Sequence, residues 1–266
     1  MTPTTLTAAV LVLNEAHQLP SLLASLRWCD ELLVVDGGST DGSAETARRE
    51  GARVLVRNFD NFARQRNAAL DAACGDWILF IDADERPTPA FSAEVRRRLA
   101  AARAVGYRVP IRSTIFGRRF RFSGTQNDVP LRLVRRGVGR WNGAVHERFT
   151  AAGPIERLDS RLEHVTLPNV TAFLEKMHRY TELNATARVA RGEAPRWAES
   201  WIRPPREVFR RLIWKQGWLD GPEGWMFCGL SGLSEWVAAR HHLRLWRRQR
   251  SAVPKVAMPA LERGAA

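Results

Sequence analysis

The chain has 266 residues, 45% of them hydrophobic, which is enough for one full core plus an appendage. Lysine and arginine number 41 against 28 acids, and the formal net charge of +13 implies an anionic partner. The cysteines Cys29, Cys74 and Cys228 are far apart and form no Cys-x-x-Cys pair, which argues against both a disulfide framework and a zinc site. A reducing, cytoplasmic setting fits. No window of about 18 uncharged apolar residues predicts a membrane-spanning helix, and the N-terminus has no basic stretch, apolar run and cleavage site of a secretory leader.

In chain order, the apolar run at 6–13 predicts a strand ending at Asn14-Glu15, and Leu19, Leu22, Leu23 and Leu26 have helical spacing. Residues 31–35 predict a second strand, followed by Asp36-Gly37-Gly38-Ser39-Thr40-Asp41-Gly42 and a helix to about residue 50. A third strand at 53–56 leads to a helix at 61–73 whose exposed face is expected to carry Arg64 and Arg66. Residues 77–81 are apolar, aromatic and β-branched, and too short for a helix. They predict a strand buried on both faces that ends in Asp82-Ala83-Asp84-Glu85. Pro87 is expected to open a helix through 90–104. Alternating strands and helices at this spacing predict right-handed crossovers and a mostly parallel sheet flanked by helices, an α/β, Rossmann-like fold.

Beyond Gly106 the pattern shortens to β-like pieces at 107–115, 118–122, 130–134, 145–149 and 161–165, expected to be mixed or antiparallel. Helical character returns at 169–191. Pro204-Pro205 is read as a hinge before two helices, 208–219 and 225–246, joined by the turn-rich 220–224. The organisation expected is a catalytic domain at 1–168, split into a nucleotide-sugar half (1–105) and an acceptor half (106–168), a C-terminal helical extension at 169–250 and a disordered tail at 251–266.

Asp82 and Asp84 lie at the carboxyl edge of the sheet, where ligands bind in open α/β folds. Two carboxylates there suit a hard divalent cation that keeps substrate phosphates in its shell; simple solvation or helix capping is the alternative. The glycines after Asp36 permit close backbone approach, and an ordinary turn with Asp41 capping the next helix is the alternative to a binding loop.

Asn14-Glu15, the Asp36 loop and Asp82-Ala83-Asp84-Glu85, in this order and at these strand ends, resemble the nucleotide-sugar half of family 2 glycosyltransferases with the GT-A fold. Arg132-Leu133, Val145-His146-Glu147, Glu163-His164 and the 217–224 segment resemble the bacterial lipopolysaccharide core β-1,4-glucosyltransferase subfamily. The resemblance implies that Asp36 binds the nucleobase with Glu15 beside it, that Asn14 and Gly38 belong to the same nucleotide-sugar site, and that Asp82 faces the ribose and metal region. It makes Asp84 a ligand of Mg2+ or Mn2+ on the diphosphate and His164 a candidate metal or diphosphate ligand. Glu147 is the candidate base, with Asp128 as rival and a salt bridge to Arg148 or Arg132 as its structural alternative. The family's frequent Glu-Asp base pair is absent. Arg64, Arg66 and Asn67 are candidates for sugar or phosphate contact, against a solvated helix face.

The function implied is inverting transfer of a hexose, glucose from UDP-glucose, to a lipopolysaccharide core acceptor. The alternatives are a family 2 enzyme acting on another glycan or lipid-linked acceptor, or a non-catalytic basic module for membrane or nucleic acid. From Arg203 to Arg250 there are ten Arg/Lys against four Asp/Glu, mixed with Trp214, Trp218, Trp225, Trp236 and Trp246. That mixture suits an anionic inner-leaflet surface, and packing of the same Trp residues as core is the alternative. No zinc-ligand spacing or ribonucleoprotein motif points to nucleic acid, and none is expected as a partner.

Overall fold

The computed structural model describes residues 4–125, 128–143 and 147–252. The chain packs as two units, Met1–Arg121 with Thr125–Pro168, and Phe122–Gly124 with Asn169–Ala266. The tail expected to be disordered lies outside the described residues from residue 253 onward.

The first unit begins β1 (Leu6–Val12), α1 (Leu19–Ser25), β2 (Glu31–Asp36), α2 (Ser43–Arg49), β3 (Arg53–Val56), α3 (Phe62–Ala72) and β4 (Trp77–Asp82), the alternation the sequence predicts. β1 is central. It pairs in parallel with β2, Val12 opposite Asp36, and with β4, Leu11 opposite Asp82. Successive side chains of a strand face opposite sides. Leu6, Ala8, Val10 and Val12 therefore pack with Leu19, Leu22 and Leu23 of α1 on one side, while Ala9 of β1, Leu33 and Val35 of β2, and Ile78 and Phe80 of β4 pack with Ala63, Ala69 and Leu70 of α3 on the other.

After β4 come β5 (Glu85–Pro87), α4 (Pro89–Ala100), β6 (Gly106–Arg108), β7 (Ile111–Ile115), β8 (Arg118–Arg119), β9 (Leu131–Arg135), β10 (Gly139–Asn142), β11 (Arg148–Ala151), β12 (Ile155–Arg157) and β13 (Leu162–Leu167). The main sheet has the order β12-β6-β9-β4-β1-β2-β3, and β9 runs antiparallel to both its neighbours. A second sheet, β5-β13-β7-β8, sets β13 antiparallel to β5 with His164 opposite Glu85. The mixed α/β, mostly parallel expectation is met.

Several boundaries are corrected. Pro87 ends a strand, and Pro89 takes the first helical turn behind the cap Thr88, whose hydroxyl accepts from the Phe91 amide at 3.2 Å. The predicted 107–115 strand is two, β6 and β7, because Pro110 lacks the amide that a continuous ladder needs. The predicted 118–122 strand is only Arg118–Arg119. Of the strand expected at 145–149, Val145 and His146 lie outside the described residues, and β11 begins at Arg148.

The second unit is helical: α5 (Val170–Ala190), α6 (Trp197–Trp201), α7 (Arg203–Phe209), a π-helical turn Arg210–Trp214, a 3₁₀ turn Gly217–Asp220 and α8 (Gly221–Ala252). Pro204-Pro205 is no hinge. Both prolines occupy the first turn of α7, where their missing amides would have had no helical acceptor. Nor is 221–224 a connector, since it is the start of α8. Its Gly224 permits close packing: a Cβ there would fall 2.1 Å from the Gly217 carbonyl oxygen. Within this unit the buried Asp220 carboxylate accepts from the Ser123 hydroxyl at 2.7 Å and from the Phe122 amide at 3.2 Å.

Candidate active site

The register of β1 with its two neighbours puts Asp36 and Asp82 on either side of its carboxyl end. β2 lies on one flank of β1 and β4 on the other, so the chain reverses its winding direction there, the position where open α/β sheets bind ligands. Asn14 follows directly.

Asp36 is buried, and its carboxylate accepts from the Ser39 hydroxyl, from the Ser39 amide at 3.1 Å and from the Gly38 amide at 3.3 Å. Gly38 has φ +95°, a backbone that favours glycine. Asn14, itself left-handed at φ 59°, accepts at Oδ1 from the Thr40 amide at 2.9 Å, and its own amide donates to Ser39 Oγ at 2.9 Å. The Glu15 amide donates to Ser43 Oγ and the Ala16 amide to Asp41 Oδ2, each at 2.9 Å. The loops after β1 and β2 are thus one hydrogen-bonded body carrying Asn14, Glu15, Asp36 and Gly38.

The Asp82–Glu85 turn is organised differently. Glu85 turns back, and its carboxylate accepts from the Asp82 amide at 3.0 Å. The buried Arg132 guanidinium, delivered by β9, donates to both Asp82 and Glu85. Burial pushes the Glu85 carboxyl well up, with Arg132 opposing it only in part. Asp82 also feels burial, but Arg132 outweighs it and holds that carboxyl down. The Asp82 side chain is 41% exposed, so it is the member of the pair that reaches solvent. Burial opposes the Arg132 cation, yet its two carboxylates stabilise it further. Neither partner was singled out by the sequence, although Glu85 stands in the quoted acidic motif and Arg132 in the second one.

Asp84 is the remaining carboxylate of this turn. His164, on β13, meets it with Nε2 2.9 Å from Asp84 Oδ2. Burial lowers the tendency of His164 to protonate, but the hydrogen bond it donates to Asp84, with the charge of that carboxylate, outweighs it and its pKa rises. Asp84 and His164, paired by the sequence as metal ligands, are therefore adjacent. Among the described residues no three His, Cys, Asp or Glu side chains cluster as a cage for a metal.

Arg66 overturns the expectation of an exposed helix face. Arg64 does point to solvent and pairs with Asp60 at 3.1 Å, but Arg66 is buried, with its guanidinium 4.7 Å from the Trp141 ring centre and 5.4 Å from that of Phe80. Burial and the neighbouring Arg132 lower its pKa, although a guanidinium stays charged in proteins. Its Nε lies 3.3 Å from Glu147 Oε1, so the salt bridge of Glu147 is made with Arg66 of α3 rather than with Arg148 or Arg132. Asn67 is engaged structurally, its side chain bonding the Trp141 amide and carbonyl at 2.9 and 2.8 Å. Asp128 is exposed, and among the described residues only its backbone is bonded, with its carbonyl accepting from the Ile111 amide at 2.9 Å.

An acidic sheet edge, a backbone-wired Asp loop and a paired Asp and His together make up the candidate site. Residues 7–152 match the model of glycosyl transferase family 2, and the chain belongs to that family. It is 32% identical over 244 residues to the lipopolysaccharide core biosynthesis glycosyltransferase LpsC of Rhizobium meliloti, covering 86% of both chains. An uncharacterized glycosyltransferase of Rickettsia felis is 33% identical over 34% of this chain and 32% of its own. Among solved structures, glucosyl-3-phosphoglycerate synthase from Mycobacterium tuberculosis in complex with Mn2+, UDP-glucose and phosphoglyceric acid is similar at 26% identity, covering 42% of this chain and 44% of that one, with a TM-score of 0.35.

Proposed function

We propose that this chain is an inverting, metal-dependent glycosyltransferase that moves a hexose, glucose from UDP-glucose, to an acceptor of the lipopolysaccharide core, at the cytoplasmic face of the membrane that bears the acceptor. The observation that carries the catalytic part is the Asp84–His164 pair on the sheet edge that also presents Asp36 and Asp82. The similarity to LpsC along 86% of the chain supports the acceptor class.

The donor set fits a divalent cation. Two neighbouring ligands of one octahedral ion, each about 2.1 Å from it, are about 3 Å apart, and Asp84 Oδ2 and His164 Nε2 are 2.9 Å apart. Mg2+ or Mn2+ held there would share its shell with the diphosphate and offset the charge developing on the departing UDP. The Asp36 loop would take the nucleobase, with Asn14, Glu15 and Gly38 around it, and Asp82 would face the ribose. Glu147 is the better base than Asp128 because Arg66 fixes its direction, whereas the Asp128 carboxylate has no partner among the described residues. It would take the proton of the acceptor hydroxyl as that oxygen attacks the anomeric carbon from the side opposite UDP, which inverts the centre.

UDP release measured across a panel of donors, with purified core acceptor and added Mg2+ or Mn2+, tests this reading. UDP-glucose should be preferred, and both a chelator and Asp84→Ala should abolish release. Glu147→Gln should bind donor normally while transfer falls by about 100-fold or more. Metal-independent turnover would overturn the role of Asp84, and full transfer by Glu147→Gln would move the base elsewhere.

A further inference from the structure

We propose that the helical unit binds an anionic lipid surface through two exposed apolar stripes, one along the outer side of α8 and one running from α6 along the exposed side of α7 into the π-helical turn. This deepens the placement at the membrane proposed above by assigning the residues that make it.

The stripe on α8 follows from helical arithmetic. Trp225, Met226, Gly229, Leu233, Trp236 and Arg240 lie within an arc of about 100° at 3.6 residues per turn, and all six are exposed. The opposite arc holds Gly224, Phe227, Cys228, Ser231 and His242, all buried. An ordinary surface helix turns its apolar stripe inward and its polar side out; α8 buries one side and still exposes a second apolar one. Trp225 is 57% exposed, and the Arg240 guanidinium lies 4.9 Å from the Trp236 ring centre.

α7 repeats the pattern. Pro204 and Val208 face α8, where a Cβ on Gly232 would fall 2.5 Å from Val208 Cγ2 and 3.1 Å from the Pro204 carbonyl oxygen. Ile202, Arg206, Phe209 and Ile213, at spacings of four, three and four, form a second side and are all exposed, with Phe209 at 60%. Trp197 and Trp214, at 76% and 78%, are almost fully in solvent. So many large exposed apolar groups within one unit mark an interaction surface.

Charge selects the occupant. Between residues 196 and 250 every acid is withdrawn: Glu199 and Asp220 are buried, and Glu207, Glu223 and Glu235 are half-buried. Arg196, Arg203, Arg206, Arg210, Arg240 and Arg244 are exposed. A symmetric dimer through such a surface would set arginine against arginine. Nucleic acid would use the charge and the aromatic rings but has no partner for Ile202, Ile213, Met226 and Leu233. Anionic lipid accommodates all three classes: arginine at the phosphates, Trp at head-group depth, and aliphatic side chains at the start of the acyl region.

The full-length protein is sedimented with vesicles of phosphatidylcholine alone or containing phosphatidylglycerol. Binding should require the anionic lipid and weaken with salt. The triple substitution Phe209→Ser, Ile213→Ser, Trp214→Ser and the separate triple Trp225→Ser, Leu233→Ser, Trp236→Ser should each reduce it at least about tenfold, and Arg206→Glu about fivefold or more. All six apolar targets are exposed, and unchanged circular dichroism will verify folding. Donor turnover with soluble acceptor should stay intact, which separates failure here from failure of the catalytic reading. Binding that ignores lipid charge or survives both triples in folded protein would overturn the proposal. So would absent vesicle binding with either retention of single-stranded RNA or a homodimer that the triples dissolve.

Discussion

The Asp36–Gly42 loop and the Asp82–Glu85 turn leave the two strands that flank β1 at the same sheet edge, yet neutral donors shape the loop while the turn closes around a cation. In the loop, Asp36 and Asp41 are met by hydroxyls and backbone amides of Ser39, Ser43 and Ala16. In the turn, Asp82 and Glu85 share Arg132. The carboxyls respond oppositely. Burial opposes the charge on Asp41, but the Ser43 hydroxyl and the two amides outweigh it and lower its pKa, whereas burial dominates at Glu85 and raises it. The difference teaches that an acidic edge can be kept shaped in two ways: many weak bonds, each dispensable, or one strong bond whose loss exposes everything it balanced.

Removing the strong bond should have the largest effect. Arg132→Met strands Glu85 and Asp82 beside an apolar side chain and should cost about 3–5 kcal/mol, read as a shift of the denaturation midpoint. Adding Glu85→Gln to that variant should restore part of the loss, because one of the two carboxyls that Arg132 balanced is then gone; equal destabilisation in the single and double variants would break the comparison. In the loop, Ser39→Ala removes one donor of several to Asp36 and should cost about 1–2 kcal/mol, while UDP affinity measured by calorimetry falls in step. Gly38→Ala adds a Cβ 3.1 Å from Asn58 Oδ1 at φ +95° and should cost about 1 kcal/mol.

The smallest effect is one of pH. A carboxyl whose folded pKa lies below its unfolded value contributes stability that is present above the unfolded value and lost as pH falls through the folded one. For Asp41 that window opens near its ordinary value of 3.8 and extends downward. Melting temperatures of Asp41→Asn and the parent should therefore converge as pH drops below that point; a constant gap would show that the loop does not depend on this charge.

Much of the fold was legible because the strands that build the edge are short, apolar and uninterrupted. The 77–81 run needs no partner to be read as a buried strand, and glycines after Asp36 mark a loop by themselves. What stayed hidden depended on distance along the chain. Nothing local tells Arg132 that it will meet Glu85, 47 residues earlier, or Glu147 that Arg66 awaits it. Arg66 did carry a signal: it lies three residues after Ala63 and four before Leu70, both buried on the inner side of α3. Its charge argued for solvent, while Trp141 and Phe80 provided the ring faces that let it stay inside. Gly221-Pro222-Glu223-Gly224 misled for a related reason. Glycine and proline serve equally in turns and at tightly packed helix starts, and only the approach of Gly217 decides between them.

The short segment Phe122–Gly124 gives the molecule an interlaced thread. The polypeptide passes from the first unit to the second after Arg121, returns after Gly124 and leaves again after Pro168. Cutting at that last crossing would not excise a self-sufficient module: a chain ending at Pro168 would keep the Ser123 hydroxyl and the Phe122 amide but lose Asp220, their acceptor. Any dissection of the protein into halves has to rebuild this three-residue loan.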